Sequence, residues 1–287
     1  MKQINSNVVC PVCGNAHQRN IFASEYGSVF RCPKCKVIYL NANSSQKTFL
    51  DIYNENYFKN NYLPLENSRK DFYSKQLDVI DKLKPEKGRL LDIGCGVGGF
   101  IKAAQEKGWN VLGIEPSKFA SSYAKKAVGL ELVINASLKE ANLSNQQFDV
   151  ITLWDVIAHF PNLKETFNLI HNMLKSHGLL VIKTPCRPRH VFIIARFLAL
   201  AKQSMADTIL HLPMQLYHFN PQSARAMIET FGFAKLEIKS LKEPLTRIKR
   251  ELKEPPRFRT KVLITITRIV DALNVNDSMI IYAAKAK

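Results

Sequence analysis

Residues 90–100, LLDIGCGVGGF, constrain the fold of this chain more than any other stretch. A short apolar strand runs into a glycine-rich turn that opens a helix, and turns of this kind let backbone approach a ligand closely. Gly94, Gly96 and Gly99 satisfy the G-x-G-x-x-G spacing. Around this unit the pattern alternates. Strands are expected at 89–93, 110–114, 131–134, 148–154, 178–184, 234–241 and 278–284. Helices are expected near 98–107, 117–127, 162–175, 221–231 and 257–274. Short apolar runs separated by helices argue for an α/β fold whose parallel sheet is covered on both faces. The last strand, Met279 to Tyr282, is a candidate for antiparallel insertion.

Asp92 narrows the ligand. A carboxylate just before the turn would repel a dinucleotide's pyrophosphate, whereas it suits the ammonium and sulfonium of S-adenosylmethionine. The second strand ends at Glu115, about twenty residues beyond the glycines, where an acid can accept both ribose hydroxyls. On these residues the chain resembles the class I S-adenosylmethionine-dependent methyltransferases from about residue 68 to 287. LLDIGCGVGGF is similar to that family's first motif and VLGIEPS (111–117) to its second. FDVITLWDVIAH (148–159) resembles the fourth-strand motif and GLLVIKTP (178–185) the fifth strand. His218-Phe219 and Ile228 to Phe233 resemble the helix and turn before the sixth strand.

The resemblance implies a Rossmann-like, seven-stranded, mostly parallel sheet with helices on both faces. It also implies cofactor-binding roles for Asp92, Gly94, Cys95, Gly96, Glu115, Pro116, Asn135, Ser137 and Asp155. Cys95 reads as a small filler in the turn rather than a nucleophile, and Asp155 as either a ligand contact or a turn cap. Two departures stand out. Asn135-Ala136-Ser137 replaces the acid the family often carries after the third strand, and Ala158 replaces a Glu before the histidine. The adenine contact then falls to Asn135, Ser137 or backbone. His159, after the fourth strand, and His218 are the candidate general bases for a hydroxyl or amine acceptor.

Four of the six cysteines form a second pattern, Cys10-x-x-Cys13 and Cys32-x-x-Cys35, with eighteen residues between the pairs. That spacing is a zinc signature, and four thiolates close a structural tetrahedral site with no open position for water. His17 fits the spacing less well. Residues 1–42 are thus expected to form a small zinc ribbon, with strands at Val29-Phe30 and Val37 to Leu40, and residues 43–287 the methyltransferase domain. A polar linker, residues 41–45, and helices near 46–57 and 68–83 join the two. Residues 187–217 read as a lid insertion over the carboxyl edge of the sheet. Ribbons of this kind are similar to those of bacterial methyltransferases in glycan or natural-product pathways.

Charge shapes the expected partners. The chain has 41 Lys and Arg against 24 Asp and Glu, a net charge of +17, which attracts phosphates on nucleotides, nucleic acid or lipid. The leading expectation is a small or sugar-like acceptor, anionic and either phosphate-bearing or lipid-linked. The alternatives are an RNA methyltransferase and a non-catalytic scaffold on the same fold. The basic helix expected at 257–274 and the greasy, basic stretch from Arg187 to Tyr217 suggest peripheral contact with anionic membrane. No apolar run is long enough to span a bilayer and no secretory h-region opens the sequence, so the expected location is cytoplasmic.

Overall fold

In the computed structural model the described residues are 8–42, 53–127, 132–186, 189–241 and 278–286. The helix expected at 257–274 and most of the one at 46–57 lie outside them.

Three strands come first: β1 (Arg19–Ser24), β2 (Gly27–Arg31) and β3 (Ile38–Ala42). Two short helical turns, Glu55–Tyr57 and Phe58–Tyr62, then lead without a break into α1 (Leu63–Leu83). The alternating region follows as β4 (Arg89–Ile93), α2 (Gly99–Glu106), β5 (Asn110–Ile114), α3 (Lys118–Ala127), β6 (Val133–Ile134), β7 (Phe148–Trp154), α4 (Leu163–Met173) and β8 (Leu174–Pro185). A helical pair, α5 (Arg189–Ala201) and α6 (Gln203–Leu210), leads to β9 (Tyr217–His218), α7 (Pro221–Thr230), β10 (Phe233–Leu241) and β11 (Ser278–Lys285).

Seven strands form one sheet in the order β10-β11-β8-β7-β4-β5-β6. The five from β8 to β6 are parallel, and β11 inserts antiparallel to both β8 and β10. Side-chain parity sorts the two faces, because successive residues of a strand point to opposite sides. Leu91, Ile93, Ile151, Leu180 and Ile182 pack with Leu163, Phe167 and Ile170 of α4 and Met227 and Ile228 of α7. Their neighbours Leu90, Val150, Leu179 and Val181 pack on the other face with Leu77 and Ile80 of α1 and Phe100 and Ile101 of α2. Both faces are therefore dry, which is why these strands read as unbroken apolar runs rather than alternating ones. Asn162 caps α4 through Glu165 N–H at 3.1 Å. A reciprocal Asn220–Ser223 capping box, with Pro221 at the first position, starts α7.

The second sheet has the order β1-β2-β3-β9 and is antiparallel throughout. Its fourth strand comes from far along the chain, with Ile38 opposite His218 and Tyr39 opposite Tyr217. Expectation and structure differ at β1, which periodicity alone did not suggest. Its hairpin turns through Ser24 to Gly27 without an Asn-Gly signal. The turn is held instead by Ser24 Oγ, which accepts from Tyr26 N–H, and by Asp207 of α6, which accepts from Glu25 N–H at 3.1 Å. The stretch 189–210 forms helices whose buried face packs on this second sheet. Val191, Phe192, Ala195, Ala206 and Leu210 meet Phe22, Val29, Ile38 and Leu40.

Candidate functional site

The four cysteines converge. Cys10 Sγ lies 3.5 Å from Cys35 Sγ, Cys13 Sγ 3.5 Å from Cys32 Sγ, and all four sulfurs fall within 4.8 Å of one another. Tetrahedral zinc with bonds of about 2.3 Å separates its sulfurs by about 3.8 Å, so the cluster has the right size for that ion. The knuckles have matching backbone. Gly14 N–H donates to Cys10 C=O at 2.9 Å and Lys36 N–H to Cys32 C=O at 3.0 Å. Gly14 and Lys36 hold the same left-handed conformation, with φ of 68° and 69°. The Cys10–Cys35 contact brings the Cys10 thiol down to about 5 and pushes Cys35 up. His17 is exposed and outside the cluster.

The glycine turn leaves β4 at the carboxyl edge of the large sheet. Gly94 and Gly96 have φ of 74° and 56°, and a Cβ on them would sit 2.5 Å from Val156 Cγ1 and 3.0 Å from Tyr62 Oη. Asp92, buried beneath the turn, accepts from Thr152 Oγ1 at 2.6 Å. Burial pushes its carboxyl up to about 8; the Thr152 hydrogen bond opposes the shift and the nearby Glu115 adds to it. Glu115 accepts from Gly96 N–H at 2.9 Å and from Ser117 N–H at 2.8 Å, so it ties the two loops together. Burial raises it to about 7, against those two hydrogen bonds. Burial leaves both carboxyls short of compensating charge, which a cationic ligand would supply.

The other expected cofactor positions surround this pair. Cys95 is buried, its sulfur tucked under Gly113, where a Cβ would meet it at 2.7 Å. Asn135 Nδ2 donates to the carbonyls of Glu115 and Pro116, both at 3.0 Å. Ser137 is engaged with Glu140, which accepts from its N–H at 3.0 Å. Asp155 closes the group with φ of 60° and an ion pair of 2.6 Å to the nearly buried Lys183.

The two histidines occupy different places. His159 Nδ1–H donates to Met214 C=O, which fixes the tautomer and leaves Nε2 as the basic nitrogen. Tyr53 Oη stands 3.4 Å from Nε2, and its O–H is the donor of that pair. Burial lowers the His159 pKa from its ordinary value, while Met214 C=O and Asp155 pull it back. His218 is buried in β9, edge-on to Phe192 of α5 with ring centroids 5.3 Å apart. The structure thus places His159 among Tyr53, Asp155 and Met214, and His218 between the small sheet and α5.

Several neighbours escaped sequence reasoning. Tyr62 covers Gly96, and the Arg69 guanidinium stacks 4.0 Å from the Tyr62 ring centre. The density of aromatics at Tyr53, Tyr57, Phe58 and Tyr62 was the available signal. For Lys183 it was a lone cation inside the apolar run GLLVIKTP. Met214 carried none, since only its backbone acts.

A family model described as "Methyltransferase domain" matches residues 65–238, more than half of the chain. The chain belongs to this family. One methyltransferase relative is the mitochondrial ubiquinone biosynthesis O-methyltransferase of Schizosaccharomyces pombe. It is 27% identical over 150 residues, 48% of this chain and 52% of the relative, so the chain spans about half of that protein's length. Among solved methyltransferase folds, a SAM-dependent methyltransferase from Archaeoglobus fulgidus superposes with a TM-score of 0.53 at 20% identity, covering 78% of this chain and 99% of that one. The cyclopropane synthase MmaA2 of Mycobacterium tuberculosis superposes at 0.57 with 18% identity, covering 85% and 100%. At these identities the likeness is one of fold, the class I S-adenosylmethionine-dependent methyltransferase fold. No helix among the described residues is long and apolar enough to cross a membrane.

Proposed function

We propose that this protein transfers a methyl group from S-adenosylmethionine to an oxygen or nitrogen of a small-molecule acceptor. The acceptor we favour is sugar-like and anionic, either phosphate-bearing or lipid-linked. The observation that carries this reading is the buried pair Asp92 and Glu115 on either side of the glycine turn, with His159 beyond it at the same sheet edge. In this reading Asp92 takes the ammonium of the cofactor and Glu115 the ribose hydroxyls. Backbone at Gly94, Cys95 and Gly96 lies along the methionine chain. Pro116, Asn135 and Ser137 border the adenine, and Asp155 faces the reacting end. When bound, the cofactor supplies a methyl group already activated by its sulfonium, so the protein's main tasks are alignment and exclusion of water.

His159 has the one task that calls for a base. Its Nε2 accepts the proton of the acceptor hydroxyl or ammonium, displacing the long contact from Tyr53. The Met214 carbonyl holds Nδ1–H and stabilises the imidazolium that results. An O-methyltransferase relative named for ubiquinone biosynthesis supports a small acceptor. The excess positive charge supports an anionic one. The four thiolates would hold zinc with every coordination position filled, so the ion would brace the ribbon rather than activate water.

Calorimetric titration with S-adenosylmethionine and S-adenosylhomocysteine, beside Asp92→Ala and Glu115→Ala, tests the assignment. Binding by the wild type that is lost in both variants is the expected result. No binding by folded, zinc-loaded protein would overturn it in favour of a scaffold.

A further inference from the structure

Helix α5, RHVFIIARFLALA, is apolar nearly all the way round. A helix of this kind requires cover on more than one side. One side has it: Val191, Phe192 and Ala195 are buried against the small sheet. The opposite side carries Ile193, Phe197 and Leu200 at helical spacing, with 48%, 68% and 81% of their surfaces in water. Phe197 and Leu200 are the two most exposed large apolar side chains among the described residues. A stripe like this on a surface helix marks a contact site.

The charges around the stripe say which contact. Arg196 lies exposed within it and Lys202 lies exposed just past its end. No acid occurs anywhere from residue 183 to residue 202, within a chain of net charge +17. A second copy docking through the same face would bring these cations against their own kind, because a two-fold interface pairs a surface with itself. An anionic bilayer supplies both an apolar layer and opposite charge. We propose that α5 is a peripheral membrane-docking helix, with Ile193, Phe197 and Leu200 entering the headgroup–acyl boundary and Arg196 and Lys202 meeting anionic headgroups. The proposal does not depend on the methyl-transfer reading.

The test is co-sedimentation of the whole 287-residue chain, zinc-loaded, with vesicles of phosphatidylcholine alone or mixed with phosphatidylglycerol. Wild type should sediment with the mixed vesicles, less at high salt, and little with phosphatidylcholine alone. Phe197→Asp with Leu200→Asp should weaken that binding by about tenfold or more, and Arg196→Glu by less. Unchanged zinc content and circular dichroism would show the variants fold. As a gentler probe, Phe197→Trp should give a blue-shifted emission with the mixed vesicles only. Undiminished binding of the double variant would overturn the proposal and move the contact to basic surface elsewhere. So would failure of wild type to bind any vesicle, or a wild-type dimer that the double variant converts to monomer.

Discussion

The proposed cofactor side and the proposed acceptor side of the sheet edge are assembled in opposite ways. On the cofactor side, Asp92, Gly94 and Gly96 are consecutive along one strand and turn, and Glu115 ends the neighbouring strand. On the acceptor side, His159 is positioned by Tyr53 from before α1 and by Met214 from the segment leading into β9. That segment is itself clasped. Leu216 N–H donates to Ala158 C=O at 2.8 Å, and Leu216 C=O accepts from Leu40 N–H of β3 at 2.9 Å. The proposed cofactor site is thus a local device, while the candidate base hangs on a strand that also completes the cysteine-bearing sheet. The two should fail separately.

The largest effect should come from Cys32→Ser with Cys35→Ser. Sites of this kind contribute about 10–16 kcal/mol of apparent zinc affinity in isolated fingers, and that affinity is coupled to folding. Metal analysis should find the zinc lost and thermal melting should show the small sheet with α5 and α6 destabilised. Affinity for S-adenosylhomocysteine should stay within about threefold, since Asp92 and Glu115 are held by Thr152, Gly96 and Ser117 rather than by ribbon side chains. A parallel collapse of cofactor affinity would erase the distinction between the two sides. His159→Gln should lower kcat on the true acceptor by about 10²–10⁴, the usual worth of a general base, with cofactor affinity unchanged.

Asp92→Asn is the converse experiment. It should weaken cofactor binding by ~2–5 kcal/mol, what loss of one partner of a buried charge pair costs, and leave zinc content intact. The same acid sets a pH signature. Asp92 and Glu115, raised to about 8 and about 7, hold protons in the ligand-free fold that the unfolded chain has already released. Their contribution to stability is therefore full in acid and is lost as pH rises from about 4 through about 8. A cationic ligand displaces a proton from Asp92, so calorimetry near pH 7 in buffers of different ionisation enthalpy should record proton release. No buffer dependence would mean that both acids are already charged.

The smallest expected effect sharpens the acceptor side. The Tyr53 hydroxyl donates to Nε2 and so favours neutral His159, whereas the nearby Asp155 favours the charged ring. Activity should fall as pH drops through a value below the ordinary histidine pKa, because burial lowers it. Tyr53→Phe should move that acid limb upward by a fraction of a unit, with about 0.5–1.5 kcal/mol at stake.

What could be read in advance follows the same division. The strand–turn–helix around Gly94 and the paired knuckles are contiguous patterns, and each demands its geometry from residues within a few positions. The parallel sheet was legible because strands buried on both faces lose their alternation. By contrast, β1 hides because its turn lacks a glycine-type signal and is stabilised in part by Asp207 of a distant helix. Lys36 takes a conformation usually left to glycine, because it stands in the second knuckle where Gly14 stands in the first. Tyr53 and Met214 could not be paired with His159 in advance, since only the closed fold brings their segments together.

The borrowed strand β9 also sets a timetable. Knuckles formed by residues 10–35 leave the ribosome long before β9, and the sheet they belong to lacks its last strand and its helical cover until residue 218 has emerged. At roughly 5–20 residues per second, that leaves the apolar face of the ribbon bare for on the order of ten seconds or more. A nascent chain of this protein therefore carries an unfinished, aggregation-prone surface while the residues between β3 and β9 are made, and early capture of metal or of a chaperone decides how safely it waits.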